Sequence, residues 1–388
     1  MKNSILKSNT VNNKILIILF LFTSIAAKAQ MGSNKEITLI KEADFEKIVD
    51  GKKVRLYTLK NKMGTVCQIT NYGGKVVSLW IPDKNGDYED VVLGHSNIDD
   101  FLTTKERYFG ALIGRYGNRI GQGKFTLDGK EYTLVTNNGN NHLHGGNKGY
   151  DAVVWDVEQI NPQALELSYL SKHMEEGYPG NLTIKVKYQL TDHNELKIEY
   201  WASTDQSTIV NLTHHSFFNL KGAGNGTIND HLLQINASRY TPVDEGLIPT
   251  GELLEVENTP MDFQESTPIG KRVNESYEQL RFGLGYDHNF VLNQNKNGLN
   301  FAAKVVEPTS GRVMEVFTNE PGLQFYGGNF LDGSVTGKYE KSYGYRTAFC
   351  LETQHFPDSP NKPQFPSVRL DPDQEYYSIC IYKFSTVE

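Results

Sequence analysis

Apolar and polar residues alternate with a period of two through much of the chain. Leu182-Thr-Ile184-Lys-Val186-Lys-Tyr188-Gln-Leu190 puts every second side chain on one face, which predicts a half-buried β-strand. Asp192-His193-Asn194 then predicts a turn, and Leu196-Lys-Ile198-Glu-Tyr200 alternates back. Asn85-Gly86 and Asp128-Gly129 sit between strand-like runs and supply residues that tolerate the positive φ of a tight hairpin. Turn signals of this kind recur along the chain, which carries 35 Gly and 14 Pro. Helical periodicity is confined to two short stretches, 43–49 and 276–282. There is no internal repeat, low-complexity linker or heptad. The pattern predicts an all-β protein: one large antiparallel domain, a sandwich or closed barrel. Its size favours an extended double sheet over a compact unit of the immunoglobulin type.

The first residues follow a different rule. Lys2, Lys7 and Lys14 precede the apolar run Ile15-Leu-Ile-Ile-Leu-Phe-Leu-Phe22, and Ala27-Lys28-Ala29 follows as a small-x-small cleavage site. This is the layout of a secretory signal peptide over 1–29, with an apolar run too short to span a bilayer. The folded domain is then expected over 30–388, exported to the periplasm or beyond and free of the membrane after cleavage. Removing Lys2, Lys7, Lys14 and Lys28 from the 39 basic residues leaves 35 against 46 acids, a net charge of about −11. An acidic chain without a basic block argues against nucleic acid as a partner. Cys67, Cys350 and Cys380 are odd in number and show no CxxC or Cys/His metal spacing. They read as buried apolar residues, with a single disulfide left open.

Candidate chemistry begins at Asn211-Leu-Thr-His214-His215-Ser-Phe-Phe-Asn-Leu220, two adjacent histidines in a strand-like aromatic run. Side chains alternate across a strand, so the two imidazoles face opposite ways and one of them can serve a pocket. Further polar clusters interrupt apolar context: Gly114-Arg-Tyr-Gly-Asn118-Arg119, Asn141-His142-Leu-His144-Gly-Gly, Tyr286-Asp287-His-Asn-Phe, Pro321-Gly-Leu-Gln324-Phe-Tyr326 and Leu351-Glu352-Thr-Gln. Such an inventory suits a sugar site, with forked polar groups for hydroxyls and aromatic faces for C–H surfaces. Glu352 follows the apolar run Phe349-Cys350-Leu351, so partial desolvation is expected to make it a better base near neutral pH. His142 and His144 would share a face of a regular strand and invite a metal reading of the cupin kind. No Glu follows at the spacing that reading needs, and no metal is expected.

Taken in order, these clusters resemble the aldose 1-epimerase (galactose mutarotase) family over residues 56–382. The resemblance implies a galactose mutarotase-like β-supersandwich and interconversion of the anomers of free aldohexoses. It further implies His215 as proton donor and Glu352 as proton acceptor, with His215 acting as imidazolium. Asn118, Arg119, His144, Asp287 and Gln324 match sugar-binding positions. No redox cofactor is called for. Calcium, associated with some exported relatives, finds no recognisable binding loop here and is expected at most as a structural ion. One departure is Gly327, where many relatives carry Thr. The expected partner is a small-molecule aldose, and the default assembly is a monomer.

Two other readings stand beside this one. An epimerase of hexose 6-phosphates would require an intracellular substrate and a free cation. A carbohydrate-binding module without catalysis would need neither His215 nor Glu352.

Overall fold

The computed structural model describes Met1 and residues 37–293 and 298–387. The signal-peptide segment therefore lies outside the described residues. From Ile37 onward the chain forms one compact unit built almost wholly of antiparallel strands.

The largest sheet has nine strands. In spatial order they are Asp156–Asn161, Ala164–Ser171, Leu182–Leu190, Glu195–Thr204, Tyr376–Thr386, Arg312–Thr318, Asn300–Val306, Leu232–Ile235 and Thr267–Pro268. The alternating run at 182–190 forms its predicted strand, with burial alternating residue by residue. Asn194 takes the left-handed conformation (φ 57°) that reverses the chain. A second sheet of five strands, Leu254–Glu255, Ala237–Tyr240, Asp287–Leu292, Gly322–Tyr326 and Cys350–Gln354, carries much of the polar inventory singled out above. A four-stranded sheet, from Leu56–Lys60 through Val66–Thr70 and Val76–Pro82 to Tyr88–Asp90, completes the large elements.

The main core draws on all three. Tyr188, Ile198, Tyr200, Val316 and Tyr382 come from the nine-stranded sheet, Phe290, Leu323, Phe325 and Leu351 from the five-stranded one, and Cys67, Ile69 and Leu79 from the third. Each fully buried Leu, Ile or Phe contributes ~1.5–3 kcal/mol, so a core of this extent stabilises the fold without cross-links. Consistently, Cys67, Cys350 and Cys380 are all buried and free. Polar ties fix how the layers meet. Tyr382 Oη on one sheet donates to the Leu351 carbonyl on another (2.8 Å). Buried Arg312 donates through Nε, Nη1 and Nη2 to the carbonyls of Ile81, Leu220 and Asp87.

The local expectations divide. Asp128 (φ 50°) and Gly129 (φ 76°) make the tight turn between Lys124–Leu127 and Lys130–Thr133, and Gly86 (φ 88°) turns the chain into Tyr88–Asp90. The stretch 276–282 holds the short helix Glu278–Phe282. The stretch 43–49 does not stay helical. A single 3₁₀ turn, Glu42–Phe45, gives way to strand Lys47–Val49, because Asp50 and Gly51 (φ 51° and 76°) fold it into a hairpin with Lys52–Val54. Sequence reading missed the helix Ile98–Thr103, whose Asn97 side chain caps the Asp100 amide.

Candidate active site

His215 lies on the three-residue strand Thr213–His215, paired with Ala111–Ile113 so that His215 faces Ala111 across the ladder. Alternation parts the two histidines. The ring of His214 enters the core, where Nδ1 meets Tyr188 Oη (3.3 Å) and Nε2 meets Ser216 Oγ (2.7 Å). The His215 ring turns to the opposite side and lines a cavity of about 650 Å³. It is stacked between Tyr108 (ring centroids 5.7 Å, 20° between planes) and Phe217 (4.8 Å, 21°). Those flat contacts leave the ring edge as its working part.

Three neighbouring strands of the five-stranded sheet deliver two acids, Asp287 and Glu352, with the amide Gln324 on the strand between them. Glu352 sits mid-strand in Cys350–Gln354, in register with Gln324, which is in turn in register with Asn289 on the strand that begins at Asp287. Glu352 Oε1 lies 3.5 Å from His215 Nε2, and Oε2 is buried with no hydrogen-bond partner among the described residues. Asp287 Oδ1 accepts from Gln324 Nε2 (2.7 Å), and its Oδ2 is 4.0 Å from Arg119 Nη1. Gln324 itself does not line the cavity; it reaches the site through Asp287. Arg119 comes from the two-residue strand Arg119–Ile120, which pairs with His142–Leu143, and its Nε donates to Asn138 Oδ1 (3.1 Å).

His142 and His144 do not share a face. The strand His142–Leu143 ends before His144, whose φ of 50° swings its ring toward the cavity. Gly145 follows at φ 82° so close to Gly114 that a Cβ there would fall 1.9 Å from the Gly114 carbonyl oxygen. His142 is instead tied to the Val135 carbonyl and to Tyr178 Oη, away from the site. Asn118, also left-handed (φ 63°), donates its amide to His144 Nδ1 (3.1 Å) and accepts the Arg119 amide on its own Oδ1 (2.9 Å). With Nδ1 accepting, His144 in its neutral form carries its proton on Nε2 and is a donor at that nitrogen.

His144, His215 and Glu352 have ligand atoms within 4.8 Å of one another, a spacing a metal could use. The donor chemistry does not fit. Calcium takes oxygen ligands, and two of these three groups are imidazoles. A transition metal needs a bare ring nitrogen, whereas the Asn118 amide keeps the His144 proton on the nitrogen that remains available.

Burial dominates the electrostatics. It lowers His215 to about 3 and holds His144 well below its ordinary value, so both are neutral near pH 7. Burial also raises Glu352 well above the usual carboxylate range, aided by the Asp287 charge and opposed by Arg119. Burial thus leaves His215 neutral, where the sequence reading had an imidazolium, and biases Glu352 toward its protonated form. A proton passing from Glu352 to His215 across 3.5 Å would give the imidazolium form.

Asn118, Arg119, His144, His215, Asp287 and Glu352 all meet at this cavity. The sequence reading gave no site role to Glu106, Tyr108, Asn138, Phe217 and Tyr326, which also line it, although Phe217 and Tyr326 stand within its clusters. Phe217 was within reach, two residues past His215. Glu106 gave no signal, because Lys105-Glu106-Arg107 reads as a solvated loop.

Comparison with known proteins agrees with this geometry. The family model described as aldose 1-epimerase matches residues 55–383. The chain is 46% identical over 317 residues to galactose mutarotase of Bos taurus, covering 82% of this chain and 90% of that one. It is 37% identical over 337 residues to aldose 1-epimerase of Escherichia coli K12, covering 86% and 96%. The crystal structure of an aldose epimerase homologue from C. elegans superposes with a TM-score of 0.80 at 31% identity, covering 86% of this chain and 99% of the other. That of galactose 1-epimerase from Lactobacillus acidophilus gives 0.77 at 28%, covering 88% and 97%. A family model matched over most of the chain, with relatives up to 46% identical across it, shows that the chain belongs to the aldose 1-epimerase family.

Proposed function

We propose that the protein interconverts the α and β anomers of free aldohexoses such as D-glucose and D-galactose, with Glu352 as proton acceptor and His215 as proton donor. The observation that carries this reading is a carboxyl and an imidazole 3.5 Å apart in a desolvated cavity ringed by hydroxyl-binding groups. Opening a hemiacetal requires removal of the proton from the C1 hydroxyl and delivery of one to the ring oxygen. Burial biases Glu352 toward its protonated form, and sugar hydroxyls donating to it stabilise the carboxylate, so that its proton passes to His215. Glu352 then takes the C1 hydroxyl proton, His215 Nε2 protonates the ring oxygen, and the C1–O bond to the ring breaks. Rotation about C1–C2 presents the other face of the aldehyde, and both proton transfers reverse on closure. Arg119 and His144 act as donors toward the oxygens that gain charge, and Asn118 fixes His144 in its donor tautomer. Asp287, held by Gln324, accepts from sugar hydroxyls.

Proton transfer and bond rotation call on no cofactor, so we take none to be required. The amino-terminal pattern supports export, which amino-terminal sequencing of the mature protein checks. Polarimetry of freshly dissolved α-D-glucose and α-D-galactose tests the activity. Approach to the equilibrium rotation is expected to accelerate, and the acceleration to fall by at least ~100-fold in Glu352→Gln and in His215→Ala. A folded, purified protein that leaves the spontaneous rate unchanged for every aldose overturns the reading.

A further inference from the structure

Of the carboxyl groups around the cavity, all but one have a basic or amide side-chain partner. Asp287 is held by Gln324 and faces Arg119, Glu352 faces His215, and Glu245 at the rim lies 3.7 Å from Arg281. Glu106 has no hydrogen bond or close ion pair to a side chain among the described residues, and Lys75 and Arg107 act on it only as neighbouring charges. Its one hydrogen bond is from the Tyr108 amide to Oε1 (3.1 Å). The neighbouring cations are spent elsewhere. Arg107 forks onto both oxygens of Asp151 and onto the Asn147 carbonyl, and the buried Lys75 ammonium donates to the Arg107 carbonyl. A half-buried carboxyl with no side-chain partner costs free energy unless a partner arrives, and here the arriving partner enters through the cavity.

We propose that Glu106 is a specificity-determining residue of this cavity, its free carboxylate oxygen accepting a hydrogen bond from one hydroxyl of the bound aldose. The proposal rests on the sugar reading of the site and adds a contact outside the proton-transferring pair. The competing explanation is local: Glu106 could serve only to hold the Tyr108 amide, and through it the ring stacked on His215. Glu106→Gln separates the two, because the amide oxygen still accepts from Tyr108 while the charge is lost.

The experiment compares wild type and Glu106→Gln on D-galactose and its 2-, 3-, 4- and 6-deoxy analogues. Polarimetry supplies kcat and KM, and calorimetry supplies the Kd of each sugar. The comparison is made above pH 8, where Glu106, raised by burial to about 7, is ionised; there a hydrogen bond to the charged group accounts for a loss of about 10–100-fold, expected in KM and Kd for galactose with kcat changed less than about threefold. One deoxy sugar should bind both proteins equally, because it lacks the hydroxyl that Glu106 holds. Glu106→Asp, which keeps the charge one methylene short, should show its own defect vanish on that same sugar. Unchanged galactose affinity, or an equal loss on every deoxy sugar, overturns the proposal. Failure of the mutarotase reading is a separate result: wild type would accelerate no aldose, while the Kd series would still decide the role of Glu106.

Discussion

At the scale of single residues, the site works by what each group is denied. Desolvation lowers His215 and raises Glu352 against the opposing charge of Arg119, so burial biases the pair's proton toward the carboxyl. The direction of each shift fixes the pH behaviour of kcat/KM, which reports the unoccupied site. His215 gains a proton only as the pH approaches about 3, and Glu352 loses its own only in its raised range. The acid limb of kcat/KM should therefore lie well below about 6.5, the ordinary histidine value, and an acid-limb midpoint near 6.5 would contradict the buried pair. Gln324 makes a second prediction. Gln324→Leu removes the 2.7 Å bond to Asp287 and leaves that buried carboxyl short of a partner. The expected cost is about 1–3 kcal/mol in urea unfolding and a KM raised by roughly 10-fold, with kcat less affected.

At the scale of elements, the proton-handling pair depends on two strands that do not share a sheet. Thr213–His215 is tied to Ala111–Ile113, while Glu352 rides on the five-stranded sheet. The first of these hangs on Gly110, whose amide donates to the His215 carbonyl (3.0 Å). Gly110 has φ 67°, and a Cβ there would lie 2.1 Å from the Val76 carbonyl oxygen. Gly110→Ala should lower the thermal midpoint by several degrees and reduce kcat by more than ~10-fold, since the shift passes directly to His215. What the sequence made legible follows from the same geometry. Period-two alternation was enough to identify the strand at 182–190 and to part His214 from His215. It could not place His144, because one left-handed residue breaks the alternation that would have aligned it with His142. It could not find Glu106, which arrives on an irregular segment where no periodicity operates. The stretch 43–49 misled for a related reason: helical spacing over seven residues is weaker than the hairpin turn at Asp50-Gly51.

At the scale of the whole molecule, burial of basic groups sets the response to acid. His95, His142, His144, His214, His215, His231 and His288 are all held neutral below their ordinary value, with desolvation the first cause in each. Their folded values are depressed, so the stability they confer is present above about pH 6.5 and lost as the pH falls toward 4 and below. Glu106, Asp287 and Glu352, raised by burial, act in the opposite sense but are fewer. The unfolding free energy from urea titration should accordingly drop between pH 6.5 and 4, by on the order of several kcal/mol at one shifted unit per ~1.4 kcal/mol, and the urea midpoint with it. A midpoint that rises over this range would refute the account. The proposed proton exchange between Glu352 and His215 has one more consequence. Ring opening hands one proton in and one out, and closure returns both, so each turnover ends with the pair as it began. Bulk water and dissolved buffer are then spectators. Spontaneous anomerisation quickens as buffer is added, because solutes act as its acid and base, whereas the enzymic rate should stay level across the same buffer series.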